Sequence, residues 1–112
     1  MQIKQVKLEI YTPESCLQEL ISQLSKMGAC RIGQYSYVSS YAKVSGTWLP
    51  EEGSQPYEGE IGKVCTGEEY KLEVRCEYDK IEAALQIIEQ YHPYEEPAIN
   101  VIPLINDVFH VQ

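Results

Sequence analysis

Basic residues are scarce. Lysine and arginine together number 9 against 17 aspartates and glutamates, a formal net charge of -8. That balance excludes a phosphate backbone as a generic partner, because such affinity comes from clustered cations, so no nucleic acid is expected. Histidine is scarcer still: there are two, His92 and His110. Nothing in the spacing brings a serine or cysteine beside either, so no nucleophile–base pair is legible. No apolar run approaches the roughly 20 residues of a membrane span, and no signal-peptide pattern opens the chain. A cytoplasmic location with no membrane partner is the expectation. The four cysteines, Cys16, Cys30, Cys65 and Cys76, form no Cys-x-x-Cys pair. Small thiols in a reducing compartment are the ordinary reading, ahead of a disulfide or a metal knuckle. Gly59 and Gly62 lack the Lys-Ser/Thr and subsequent helix of a phosphate-cradling loop.

The chain does have an ordinary globular composition, 44% apolar and 23% charged over 112 residues. This is one domain over residues 1–112, able to bury roughly two thirds of its unfolded surface. Val6, Leu8 and Ile10 alternate with Lys7, Glu9 and Tyr11, which predicts a half-buried strand. Thr12 is placed to cap a helix, with Pro13 at its first position and Glu14 against its positive end. Leu17, Leu20, Ile21, Leu24 and Met27 form one helical stripe, and Gly28 supplies the left-handed stop.

Residues 35–44 predict a second strand, with Tyr35, Tyr37 and Tyr41 on one face and Val38, Ala42 and Val44 on the other. Glycine and proline punctuate residues 46–67 too densely for a helix, which predicts a long connection carrying the only tryptophan, Trp48. Trp48 reads either as an anchor for that loop or as a partner contact. Tyr70, Leu72, Val74 and Cys76 alternate with charged residues as a third strand. Asp79 with Glu82 suggests a capping box, and Ile81, Ala84, Leu85 and Ile88 a second helix. A last strand is predicted over 99–104, broken by Pro103, with a short extra one over 108–111. Carboxylate pairs at Glu51-Glu52, Glu68-Glu69 and Glu95-Glu96 read as solvated faces, since neighbours on a strand point apart.

The order strand, helix, strand, strand, helix, strand predicts an α+β, ferredoxin-like βαββαβ sandwich. Four antiparallel strands carry two helices on one face. The other face presents Lys7, Glu9, Tyr11, Lys71, Glu73, Arg75 and Glu77. The most distinctive stretch is His92-Pro93-Tyr94-Glu95-Glu96-Pro97-Ala98. Pro93 pushes His92 out of the helical region and should end the second helix near Tyr91; Pro97 confines the last strand to an edge.

That elbow, leading into an apolar strand that ends in Pro103-Leu104, resembles the signature of YqfO-type domains. These occur as the inserted module of Nif-three-like proteins and as small free-standing proteins. Gly28-Ala29-Cys30-Arg31-Ile32-Gly33-Gln34-Tyr35 resembles the family's glycine-rich entry into the second strand. Gly46-Thr47-Trp48-Leu49-Pro50 and Gly59-Glu60-Ile61-Gly62-Lys63 resemble the two ends of its long insert. The module is similar in fold to CutA and PII-like proteins. The resemblance implies oligomers built through sheet edges and faces, commonly trimers, with ligand or partner contacts on the connection between strands two and three. It implies no hydrolase activity, because the parent's metal-holding flanking domain has no counterpart here. Val38-Ser39-Ser40 replaces a cysteine-containing segment found in many members.

These readings predict a non-catalytic homo-oligomer, a dimer or trimer, acting as a binding or regulatory module without a cofactor. A protein or small-molecule effector would meet Trp48, Tyr57, His92, Tyr94, Glu95 and Glu96. The alternative is a divalent-metal-binding protein of the CutA kind, concerned with metal tolerance, with His92, Glu95 and Glu96 as ligands. The plainer reading of the elbow has His92 bonding the helix end, Tyr94 packing, and the glutamates pairing with basic side chains.

Overall fold

A computed structural model describes residues 2–112. The chain runs β1 (Gln5–Thr12), α1 (Glu14–Lys26), β2 (Ser40–Trp48), β3 (Cys65–Glu77), α2 (Ile81–Tyr91) and β4 (Ile99–Leu104). Short 3₁₀ turns at Tyr78–Lys80 and Asn106–Phe109 complete it. The strands form one antiparallel sheet in the order β2-β3-β1-β4, the ferredoxin-like arrangement that the element order predicts.

The core follows from the alternation of β1 and β3. Leu8 faces Val74 across the ladder and Ile10 faces Leu72, and these pack against Leu17, Leu20, Leu24, Ala84 and Ile88 of the two helices. All of them are buried. The helices lie on the face that this phase defines, because only there does each apolar stripe leave water. On the opposite face Lys7 and Lys71 each lie within reach of both Glu9 and Glu73, at 3.1 to 3.8 Å. Burial pulls the Glu9 carboxyl up, but the Asn100 amide and the two ammonium groups outweigh it and hold it below the usual carboxylate value.

Several sequence expectations are corrected. β2 begins at Ser40, not Tyr35, because Gly33 and Tyr37 adopt positive φ (58° and 59°) and cannot continue a ladder. An isolated bridge between Ile32 and Tyr35 closes a tight turn instead. β2 also runs further than expected, since Gly46 pairs with Gly67 and Trp48 with Cys65. The connection is therefore residues 49–64. Thr12 is the last residue of β1, and Pro13 takes the cap position of α1 with no side-chain hydrogen bond. At the other end Gly28 (φ 108°) donates to Ser25 O and Ala29 to Leu24 O, the paired bonds that stop a helix at a left-handed glycine. The Asp79–Glu82 capping box is absent: a 3₁₀ turn leads straight into α2. The ladder continues through Pro103, opposite Val6, because β4 is an edge strand and Pro103 needs no outer partner. Residues 108–111 hold no strand; they continue the turn Asn106–Phe109 and leave it at His110.

β1 pairs with β3 only as far as Tyr70. Beyond it, residues 65–69 pair with β2 alone, so the hairpin projects as a two-stranded arm and the molecule measures 48 × 28 × 23 Å.

Candidate functional site

The arm's connection folds back over the open sheet face and meets the proline-framed elbow. Pro93 ends α2 at Tyr91, and His92 leaves it in an extended conformation (φ -94°, ψ 133°). Two contacts tie elbow to loop, and a third ties it to β3. The Gln55 amide donates to Glu95 Oε1 (3.0 Å), the Tyr57 and Tyr94 rings lie 5.6 Å apart, and the Tyr94 hydroxyl donates to Glu69 Oε2 (3.2 Å) on β3. Trp48 closes the far wall: its indole N–H donates to Glu58 O (3.2 Å) and its ring covers Gly67. Between these elements lies a cleft of about 490 Å³.

Of the residues singled out in the sequence, Trp48, Tyr57, Tyr94, Glu95 and Glu96 all line this cleft. His92 does not. It is buried behind the wall, with its ring 4.6 Å from that of Tyr94. Its Nε2 lies 2.6 Å from Tyr11 O, at the end of β1, and its Nδ1 accepts the Tyr94 N–H (3.2 Å). The expected side-chain bond to the helix end is thus replaced by one to the first strand. Only the His92 backbone amide caps α2, on Ile88 O. Burial lowers the pKa of the imidazole, opposed by the Tyr11 carbonyl and the Glu69 charge, so His92 is a neutral pin holding elbow to sheet.

The glutamates also differ from expectation. Glu95 accepts a backbone amide and not a basic side chain, and Glu51, Glu69, Glu95 and Glu96 all edge the cleft. On β3 the pair does point apart: Glu68 reaches Lys43 on one face while Glu69 takes the Tyr94 hydroxyl on the other. Sequence reasoning misses Tyr11 and Glu69 as site residues. Both sit on the outward phase of their strands, and the signal that finds them is register, which needs the β1–β3 pairing.

To a ligand the cleft offers aromatic rings and carboxylate oxygens. Burial and the nearby Glu69 carboxylate push the Tyr94 phenol up to about 12, which keeps its proton in place. The elbow does not present three converging metal ligands. Both nitrogens of His92 are engaged, and among the described residues no group of three His, Cys, Asp or Glu side chains is placed to hold one ion.

Comparison with known proteins agrees with this architecture. Residues 57–108 match the family model described as CutA1 divalent ion tolerance protein. Over 101 residues the chain is 35% identical to the GTP cyclohydrolase 1 type 2 homolog of Halalkalibacterium halodurans, a match covering 90% of this chain and 27% of that protein. A Bacillus cereus protein related to NIF3 superposes with a TM-score of 0.81 at 28% identity, over 93% of this chain and 26% of the other. The CutA protein of Archaeoglobus fulgidus superposes with a TM-score of 0.70 over 90% of this chain and 84% of its own, at 16% identity, which shows the fold alone. The chain spans about a quarter of the length of the curated relatives it matches. The shared fold is the CutA- and PII-like form of the ferredoxin-like sandwich.

Proposed function

We propose that this chain is a small, non-catalytic binding or regulatory module of the YqfO, Nif-three-like type. It works as a cytoplasmic homo-oligomer, without a resident cofactor, and receives an effector in the cleft between arm and elbow. One observation carries the reading: two segments 40 residues apart, each marked in the sequence, are tied together at Gln55 and Glu95 around a single concavity. Self-association is supported by β2, an edge strand exposed on both faces, with Tyr41 48% and Trp48 37% accessible. The four free thiols fit a reducing compartment.

Two measurements test this. Light scattering should give a mass above that of one chain; a monomer at every concentration removes the oligomer. Replacing residues 51–63 by Asn-Gly should preserve the hairpin, the far-UV spectrum and cooperative melting, because no residue of that segment belongs to the buried core. Should the shortened chain unfold, the segment is structural and the effector reading fails. A replacement that began at Thr47 would cut into β2, since Thr47 pairs with Thr66.

The second reading, a divalent-metal-binding protein of the CutA kind, is favoured by the family-model match over 57–108. It requires that zinc or copper at micromolar concentration raise the melting temperature.

A further inference from the structure

We infer that the cleft takes an organic cation, an ammonium or guanidinium group carried on an apolar stem. This rests on the reading of the cleft as the effector site and names the chemical class it admits. The carboxylates alone would mark only a wet surface. What distinguishes them here is that five of them, Glu51, Glu58, Glu69, Glu95 and Glu96, edge one concavity whose walls are aromatic: Tyr11, Trp48, Tyr57 and Tyr94. No lysine or arginine lines it. Elsewhere on the same sheet face each glutamate of the central network has a lysine within 4 Å. Among the described residues, none of the five cleft carboxylates has an ion-pair partner.

Uncompensated negative charge in a concave site is complementary to a cation, and a low-dielectric aromatic wall strengthens that complement. Ring faces add attraction for a cation near them. Guanidinium, the more weakly hydrated, stacks on them most readily, and a compact ammonium gains once the wall displaces part of its water. The rings are held in place. Trp48 is fixed through Glu58 O and Tyr94 through Glu69, while the Tyr57 and Tyr94 rings meet at 48° to form a corner. Glu69 and Glu95 each spend one oxygen on these internal bonds, and among the described residues the other oxygen of each accepts no hydrogen bond. Those two oxygens are the acceptors for a donor cation. Pro50, Pro56 and Leu49 supply the apolar lining that an aliphatic stem would cover. A phosphate or carboxylate ligand would meet only like charge.

Trp48 is the only tryptophan, so selective excitation of its emission reads the cleft wall directly. The full chain is titrated with agmatine, with a lysine- and arginine-containing peptide, with ATP and with butyrate. Agmatine or the peptide should change the emission saturably, with an affinity that falls as salt is added. The Glu69→Gln/Glu95→Gln variant should bind about tenfold more weakly or worse. Tyr57→Leu, on an exposed loop side chain, gives the same test should the double variant fail to fold. A stronger response to the peptide than to agmatine would locate the cation on a protein partner; the reverse would locate it on a free amine. Silence towards both cations, or unchanged affinity in the variants, overturns the inference. If ATP or butyrate then binds and that response is lost on replacing residues 51–63, the cation class fails while the effector site stands. If no probe responds, both fall.

Discussion

A carbonyl oxygen can only accept, so the 2.6 Å contact between Tyr11 O and His92 Nε2 puts the imidazole proton on Nε2 and leaves Nδ1 to receive the Tyr94 amide. One buried ring thereby satisfies two backbone groups from elements that are distant in sequence. Truncating it in His92→Ala leaves both groups without a partner, and urea denaturation should show a loss of about 1–3 kcal/mol. The same arrangement sets a pH dependence. Burial holds the folded pKa below the ordinary 6.5, so in the window between the two values the unfolded chain binds more protons than the folded one. The His92 contribution is therefore complete above 6.5 and declines as the pH falls towards the folded value. Denaturation curves compared on either side of 6.5 should show wild-type stability falling on acidification, with a flatter profile in His92→Gln. Equal slopes in the two proteins would mean that His92 is not the titrating group.

At the scale of the element, the arm is the unusual feature. A two-stranded hairpin is marginal in water unless something covers it. Here Trp48 lies across the ladder over Gly67, and at the base of the arm Tyr41 meets Tyr70 edge-on on the helix side at 5.9 Å. A Cβ at Gly67 would sit 3.1 Å from the Trp48 ring, whereas one at Gly46, its partner in the ladder, would meet nothing nearer than Glu69 at 4.0 Å. Gly67→Ala should thus cost about 1–3 kcal/mol through overpacking and shift Trp48 emission. Gly46→Ala should fall within about 0.5 kcal/mol of wild type. Thermal melts tracked by fluorescence check the pair; identical behaviour would show that Trp48 does not rest on the arm.

For the whole molecule, the decisive feature is how little of β2 the single chain covers. The helices lie over β1 and β3, while β2 exposes both faces and one backbone edge along its nine residues. A strand so placed invites another copy, by edge pairing or by burial of its aromatic side chains. Tyr41→Glu adds a charge to that surface of an already acidic chain. It should lower the mass seen by light scattering towards that of one chain while leaving the far-UV spectrum unchanged. An unaltered mass would place the interface elsewhere. The net charge of -8 bears on partners too, because it repels polyanions and draws cations at a distance that salt shortens.

Local chemistry was enough to determine the repeating strand–helix–strand plan. Alternation in 6–10 and 70–76, the helical stripes, Gly28 and the two prolines of the elbow each act within a few residues, and the structure keeps all of them. The same local logic misplaces the start of β2, because alternating tyrosines at 35 and 37 look like a strand whatever φ they adopt. It also puts Gly46 and Gly67 in a loop, since glycine reads as punctuation unless a ring such as that of Trp48 is known to need the space. Five cleft residues are legible singly, but their convergence is not. It depends on register, on which strand end lies beside which, and on a histidine turned inward to grip Tyr11. Those are long-range pairings, and side-chain direction along a chain carries no record of them until the sheet has formed.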